Sequence, residues 1–354
     1  MKRIKLFCDR KTGEAYYHGE NSTISQRNGQ SISLKGAERF LGPGARIIVY
    51  RASKTVARKR LYEMTGALKG ADSDVMKKAL EYLSMCGFGL FEIKNFGKET
   101  MIELRNSSNA LKHRSDRPVC YITAGYLAGI MELITGRECI CIEERCIAKG
   151  DRVCTFRIKV LHSKAESVKG WWKSKKPPGG VEETFVDYDE KNGEVLLKGI
   201  TSSIVNARPE LSELQKEFER IIGPANKTIR YNTGRGTTTE AVGQIQGFII
   251  KVMRIFSRKK IIKKLLEQFP ERGYGVAELL DFDEKRMTAR IAVRNSYNAM
   301  GYGKTKEPVC HAVAGIFAGG GNVVFGISNM ECRETKCIAK GDPHCEFYVY
   351  PERR

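Results

Sequence analysis

The sequence predicts an α+β protein made of two repeated domains, each a mainly antiparallel sheet with helices packed against it. Three observations predict this. The stretch PVCYITAGYLAGIMELITGRECICIEERCIAKGDRVCTFRI, from Pro118 to Ile158, recurs as PVCHAVAGIFAGGGNVVFGISNMECRETKCIAKGDPHCEFYV from Pro308 to Val349. Upstream of each copy the same succession of strand-like and helix-like segments is repeated. The 354 residues also exceed what one hydrophobic core usually holds, so two domains of about 150 to 180 residues are expected. They are placed at 1–161 and 184–354, joined by a basic linker at 162–183 and packed as an internal pseudo-dimer.

Each half opens on a hairpin with a glycine turn, CDRKTGEAYYHG (Cys8 to Gly19) and YDEKNGEVLLKG (Tyr188 to Gly199). An amphipathic helix follows, SLKGAERFLGPGA or LSELQKEFERIIGPA, stopped by the pairs Gly42-Pro43 and Gly223-Pro224. Next, ARIIVYR and KTIRYN are expected to be strands on their β-branched content. Helices are then expected near Thr55 to Met64 and Val75 to Met85, and near Glu240 to Phe256 and Arg258 to Phe269. The last lines up Ile261, Ile262, Leu265, Leu266 and Phe269, with Lys259, Lys260, Lys263 and Lys264 beside them. This is the pattern of a core helix with a solvated basic face, in preference to a membrane-surface helix.

Two strands close the upstream part of each half, GFGLFEIKNF with TMIELRNSSNA and YGVAELLDFD with MTARIAVRNSYNA. The second strand stops at Arg105-Asn106-Ser107 and at Arg294-Asn295-Ser296. Between the halves, Lys-Pro-Pro-Gly-Gly is linker chemistry. Trp171 and Trp172, the only tryptophans, are expected to pin that linker to a domain.

The net charge of +20 is unevenly spread: residues 1–160 carry 29 Lys+Arg against 17 Asp+Glu, residues 161–180 carry 5 against 1, and the rest 27 against 23. A nucleic-acid or anionic partner is therefore a lesser candidate than a solvated basic surface. No apolar run approaches the ~20 residues of a membrane span, and MKRIKLFCDR lacks a secretory apolar core, so a cytoplasmic location is expected. In that reducing compartment the eleven cysteines are read as metal ligands or buried thiols before disulfides.

The repeated stretch carries the chemistry. Gly125 and Gly129, and Gly315 and Gly319, fall on one helical stripe, which suits close helix packing or the lining of a narrow apolar pocket. Cys120 and Cys310 fall in the first turn of those helices, where the macrodipole favours a thiolate. Downstream, Glu143, Cys146 and Cys154 match Glu334, Cys337 and Cys345 with unchanged spacing. Three thiolates and a fourth donor in one supersecondary unit point to a tetrahedral zinc, Zn2+, in each half, two per chain. The fourth donor is either Glu143 and Glu334 or Cys141 and Cys332, two residues earlier on the same strand face. A site filled by four protein ligands is structural rather than catalytic.

Catalytic motifs are absent from the sequence: no GxSxG, HExxH, Walker loop or GxGxxG after a strand is present, and Gly234-Arg235-Gly236 alone is too little. None of the five histidines, His18, His113, His162, His311 and His344, has a partner in the other half.

The pattern Cys-x22-Glu-x2-Cys-x7-Cys, with x23 in the second half, behind a glycine-bearing helix and ending in Cys-x-Phe, resembles the vinyl-4-reductase domain. That family shares its fold with subunits of the TRAPP vesicle-tethering complex. The resemblance is strong over about 40 residues per half. It implies an α/β small-molecule binding module with an apolar pocket beside a zinc site, a tendency to dimerise, and use as a sensor of phenols and other aromatics. It further implies zinc ligands Cys120, Glu143, Cys146 and Cys154, then Cys310, Glu334, Cys337 and Cys345. The extra residue before Glu334 and the run Gly319-Gly320-Gly321 alter the second helix and its pocket. The expected function is non-enzymatic binding of a small hydrophobic or aromatic ligand, as sensor or carrier. The alternative is a scaffold or tether that uses a basic face for protein, membrane or nucleic-acid partners, with a homo-oligomer or protein partner in either case.

Overall fold

A computed structural model describes residues 2–17, 20–27, 29–67, 72–166, 182–197, 200–206, 212–253 and 257–352. The linker residues 167–181, with Trp171, Trp172 and the Lys-Pro-Pro-Gly-Gly segment, lie outside the described residues, as do His18 and Gly199. The first half runs β1 (Lys2–Asp9), β2 (Glu14–Tyr17), β3 (Glu20–Gln26), α1 (Gly29–Leu41), α2 (Ala45–Ala67), α3 (Asp72–Met85), β4 (Leu90–Asn95), β5 (Glu99–Arg105), α4 (Tyr121–Thr135), β6 (Arg137–Arg145) and β7 (Cys154–Lys164). The second half repeats it as β8 (Glu182–Asp189), β9 (Glu194–Leu197), β10 (Ile200–Asn206), α5 (Ser212–Ile222), α6 (Ala225–Met253), α7 (Arg258–Leu266), β11 (Val276–Asp283), β12 (Thr288–Arg294), α8 (Tyr297–Tyr302), α9 (His311–Phe325), β13 (Met330–Lys336) and β14 (Cys345–Pro351). The class is mixed α+β with antiparallel sheets, as expected.

The chain forms two compact units. One comprises Met1–Lys5, Ser25–Lys175 and Phe185–Val205, the other Leu6–Ile24, Lys176–Thr184 and Asn206–Arg354. In the first, a sheet of order β4-β5-β7-β6 pairs Ile102 with Phe156 and Leu104 with Cys154. In the second, a sheet of order β11-β12-β14-β13 pairs Ile291 with Phe347 and Val293 with Cys345. Their inward side chains are fully or nearly fully buried, the period-two alternation expected of a sheet with one face on the core.

Two expected strands are helical. Residues 45–51 and 227–232 lie within the opening turns of α2 and α6. The β-branched run Ile47-Ile48-Val49 suggests a strand over a short window. Over a longer one Ala45, Val49, Ala52 and Val56 are buried at spacings of four, three and four, while Ile47 is exposed, which is a helical stripe. Nothing between Ala45 and Ala67 breaks that helix, so the helix expected at Thr55 to Met64 is its continuation.

The glycine stripe of α4 sets the distance to α2. A Cβ at Gly125 would stand 2.5 Å from the Tyr50 carbonyl oxygen, and one at Gly129 2.7 Å from that of Lys54. In the second unit Gly315 and Gly319 of α9 meet the carbonyls of Tyr231 and Arg235 on α6, and Gly234 of α6 meets that of Ala312. Close packing is therefore what the stripe does, and the Gly-Arg-Gly of α6 is part of it. Helix α7 buries Ile262 and Leu266, with Phe269 just beyond its end, and exposes Lys259, Lys260, Lys263 and Lys264. It is the core helix with a basic face that its pattern predicts. Among the described residues no helix is long and apolar enough to cross a membrane.

The β1–β2 and β8–β9 turns need left-handed glycines, Gly13 (φ 69°) and Gly193 (φ 65°). Gly193 packs on the backbone of Gly89 and Leu90 within the first unit, and Gly13 on Gly275 within the second. Asn106 and Asn295 end β5 and β12 with φ of 54° and 52°, a region Asn tolerates better than most residues. Their side-chain amides donate to Asn192 O (2.8 Å) and Thr12 O (3.1 Å), fixing those turns.

Candidate metal centres

A helix start, two strands and the turn between them bring the four candidate donors together in each unit. Cys120 is the residue before the first turn of α4, and Cys310 holds that position before α9. Glu143 and Glu334 come from β6 and β13, each just before a register shift that turns the chain away from the ladder. The Cys-Ile-Ala-Lys-Gly-Asp segment then makes one tight turn, with Gly150 at φ 102° and Gly341 at φ 103°, a conformation open to glycine. Asp151 Oδ2 accepts from Cys146 N at 2.8 Å, and Asp342 Oδ2 from Cys337 N at 2.8 Å, closing the turn on its first cysteine. Cys154 and Cys345 open the last strand of each sheet.

One ligand atom from each of Cys120, Glu143, Cys146 and Cys154 lies within 4.8 Å of the others, and the same holds for Cys310, Glu334, Cys337 and Cys345. Cys120 Sγ is 3.6 Å from Cys154 Sγ and 4.0 Å from Cys146 Sγ, and Cys310 Sγ is 3.6 Å from Cys345 Sγ. Zinc–thiolate bonds of about 2.3 Å in a tetrahedron set sulfur–sulfur edges of about 3.8 Å. Glu143 Oε2 accepts from Cys120 N at 2.8 Å, whereas its Oε1 is buried without a hydrogen bond, and Glu334 repeats this with Cys310 N at 2.8 Å. An orphaned carboxylate oxygen beside three sulfurs is a donor set that fits a metal ion. The two buried clusters could each hold one.

Hydrogen-bonding groups line the sulfurs. Ser107 Oγ lies 3.3 Å from Cys120 Sγ and Ser296 Oγ 3.4 Å from Cys310 Sγ, while Ile147 N and Ile338 N donate to Cys154 Sγ and Cys345 Sγ at 3.4 Å. Without a metal, hydrogen bonds from Cys120 and Cys154 hold Cys146 as a thiolate, at about 2. Burial pushes Cys120 well up, and burial followed by the Cys146 charge raises Glu143 to about 8. Cys337 at about 2 and Glu334 at about 8 repeat the pattern. One negative charge is thus shared among four donors until a cation enters.

Cys141 and Cys332 are buried on the same strand faces as the glutamates but lie outside these groups. Their backbone N–H groups donate to Tyr50 and Tyr231 hydroxyls at 3.0 and 2.9 Å, which ties β6 to α2 and β13 to α6. The capping aspartates and the hydroxyls of Ser107 and Ser296 were not singled out from sequence. The identical Lys-Gly-Asp and the matched Asn-Ser at the strand ends were the available signals.

A model of the vinyl-4-reductase domain matches residues 101–160 and 289–351. Among curated proteins, an uncharacterised protein of Methanocaldococcus jannaschii is 35% identical over 79 residues, 20% of this chain and 34% of its own length. The chain thus spans about a third of the first curated relatives it matches. Similar solved structures include the phenol-responsive sensory domain of the transcription activator PoxR, at 19% identity and TM-score 0.39 over 47% of this chain and 84% of that one. A vinyl-4-reductase family protein of Methanocaldococcus jannaschii follows at 20% identity and TM-score 0.26, over 32% of this chain and 68% of that one. Subunit 3 of a trafficking protein particle complex from Naegleria fowleri aligns at 13% identity and TM-score 0.31, over 39% and 98%. Both matched regions enclose a complete three-cysteine, one-glutamate group, and the chain carries two vinyl-4-reductase domain regions, one in each half of its sequence.

Proposed function

We propose that each vinyl-4-reductase region holds one structural zinc, through Cys120, Glu143, Cys146 and Cys154 and through Cys310, Glu334, Cys337 and Cys345, and that the chain binds a small hydrophobic or aromatic ligand without chemistry, as a sensor or carrier. The observation that carries this is the convergence of four protein donors in each cluster. A tetrahedral ion there has no open position for water or substrate, so it joins a helix start to a hairpin and does not catalyse. Work is left to the apolar space between helices and sheet. In the second unit the core between helices and sheet is aromatic: Phe317 stacks on Phe269 at 5.4 Å between ring centroids and meets Phe347 edge-on at 5.0 Å, and Tyr274 approaches Phe269 at 5.7 Å. A core of this kind, with few polar groups, suits an apolar ligand.

The test is native mass spectrometry of the full zinc-loaded chain, followed by titration with the apolar fluorophore 1-anilinonaphthalene-8-sulfonate. A co-purifying small molecule, or saturable fluorophore binding displaced by small aromatics, supports the reading. Neither a bound molecule nor displaceable binding would sink it.

A further inference from the structure

We infer that the outer face of the second unit's sheet binds single-stranded nucleic acid: Tyr348 and Tyr350 of β14 stack on bases, and Arg333 and Arg290 beside them hold phosphates. This goes beyond the apolar-ligand reading and does not rest on it.

Strand β14 is an inner strand, between β12 and β13. Its alternate residues Cys345, Phe347 and Val349 are buried in the core. Period-two alternation therefore turns Glu346, Tyr348 and Tyr350 to the opposite face. There the rings of Tyr348 and Tyr350 lie 5.4 Å apart between centroids and 19° from parallel, and both residues are half-buried. The ladder sets Arg290 of β12 and Arg333 of β13 directly opposite Tyr348, one on each side. Both arginines are exposed.

The charges of this face favour a polyanion. Glu346 is engaged by Lys336 at 3.0 Å and by Arg290 at 3.3 Å. Glu331, opposite Tyr350, is engaged by Arg235 at 2.7 Å and by the Tyr231 hydroxyl at 2.6 Å. Arg333 has no ion pair among the described residues. The exposed carboxylates Glu278 and Asp281 lie on β11, the far edge strand, which leaves β14 and β13 as the positive side. A guanidinium fork matches a phosphate, and a nearly parallel pair of rings is a stack that a base can extend. Rings on inner strands with cations alongside are how four-stranded sheets hold single strands. A duplex keeps its base faces covered, and a lipid head group has no ring to stack. The net charge of +20 adds long-range attraction for the backbone.

The first unit provides a contrast. Counted from Cys154 and Cys345, Arg157 and Lys159 of β7 hold the positions of Tyr348 and Tyr350. Met101 and Ile142 stand opposite Arg157, where two arginines flank Tyr348. Arg157 is engaged by Glu99 and Glu144 at 3.1 and 2.6 Å, and Lys159 by Glu99 at 3.4 Å. Rings and unpaired cation are missing there together, so the platform belongs to the second unit.

Fluorescence anisotropy of the zinc-loaded full chain with fluorescein-labelled oligouridylate and oligothymidylate, and with a duplex of the same length, tests this. The wild type binds at least one single strand more tightly than the duplex. Tyr348→Ala combined with Tyr350→Ala loses at least about tenfold, from two stacked bases, whereas Tyr348→Phe keeps the ring and stays within about threefold. Arg333→Gln weakens binding and lowers the slope of log affinity against log salt by about 0.7, one phosphate contact on a single strand. This exposed side chain decides the matter should the tyrosine variants fail to fold. Lys159→Gln, in the first unit, leaves the affinity within about twofold. No single-strand binding by the wild type at about 50 mM salt, equal binding of the duplex, or full binding by the double tyrosine variant overturns the inference. Equal losses from Lys159→Gln and Arg333→Gln overturn it as well. So does uptake of the chain by phosphatidylserine vesicles with no oligonucleotide bound, which would direct the basic surface to membranes.

Discussion

Adjacent glycines of α9 should respond to the same methyl group with opposite signs. A Cβ at Gly319 stands 2.5 Å from the Arg235 carbonyl oxygen and 3.1 Å from Thr238 Cβ, whereas one at Gly320 meets nothing within 4 Å. Ordinary contact begins at 3.4 Å, so Gly319→Ala forces α9 and α6 apart by roughly 0.9 Å along a backbone-to-backbone contact, where no side chain can rotate away. Overpacking of this kind costs about 1 to 3 kcal/mol, and the helical preference of alanine over glycine returns about 1. At Gly320 only the second effect operates. Gly319→Ala should lower the melting temperature by up to about 8 °C and Gly320→Ala should raise it by about 2 to 4 °C, for a unit of this size. Thermal melts of the zinc-loaded full chain, followed by circular dichroism, read both. Shifts of the same sign would refute the claim that the glycine stripe sets the α6–α9 distance.

Glu143→Gln should weaken zinc binding at the first site by more than about 100-fold, beyond the usual effect of changing a group behind a ligand, while Cys141→Ser leaves it within about threefold; competition with a chromophoric chelator measures both. At pH 7 the metal-free cluster holds protons on Glu143, Cys120 and Cys154, with Cys146 already a thiolate. Zinc loading should therefore release about three protons per site, read by calorimetry in buffers of different ionisation enthalpy; release of fewer than about one contradicts the assignment. The sign for the metal-free protein follows from Glu143 rising from its ordinary 4.5 to about 8. Its contribution to stability is fully present below pH 4.5 and is lost as pH rises through about 8, while that of Cys146, lowered from 9.0 to about 2, grows over the same window, so urea midpoints of the metal-free chain should stay level between pH 4.5 and 8, and a fall would contradict the shared charge. Asn106→Ala removes a donor to Asn192 and places alanine at φ 54°, for a loss of about 1.5 to 3 kcal/mol. Asn106→Gly should cost less, and equal losses would show that backbone strain contributes nothing.

Much of the architecture was legible because the chain states it twice. The recurring spacing of Glu143, Cys146 and Cys154 marked residues that converge with Cys120, and Gly125 and Gly129 marked the close helix. What sequence periodicity missed was α2 and α6. Ile47-Ile48-Val49 reads as a strand over seven residues, and only burial of Ala45, Val49, Ala52 and Val56 decides for helix, a tertiary effect that overrides local propensity. Spacing alone left Glu143 and Cys141 open, and only the family resemblance pointed to the glutamate. Period-two alternation puts both on one strand face, and the register shift after Glu143 brings its carboxylate to the Cys120 amide.

The central claim is that two buried clusters of three cysteines and one glutamate each hold a zinc. Metal analysis of the purified full chain, alongside a Cys146→Ser plus Cys337→Ser variant, tests it most directly. Two zincs per wild-type chain, falling to near zero in the double variant, is the predicted result. A wild-type chain prepared with zinc present that carries no metal would contradict it.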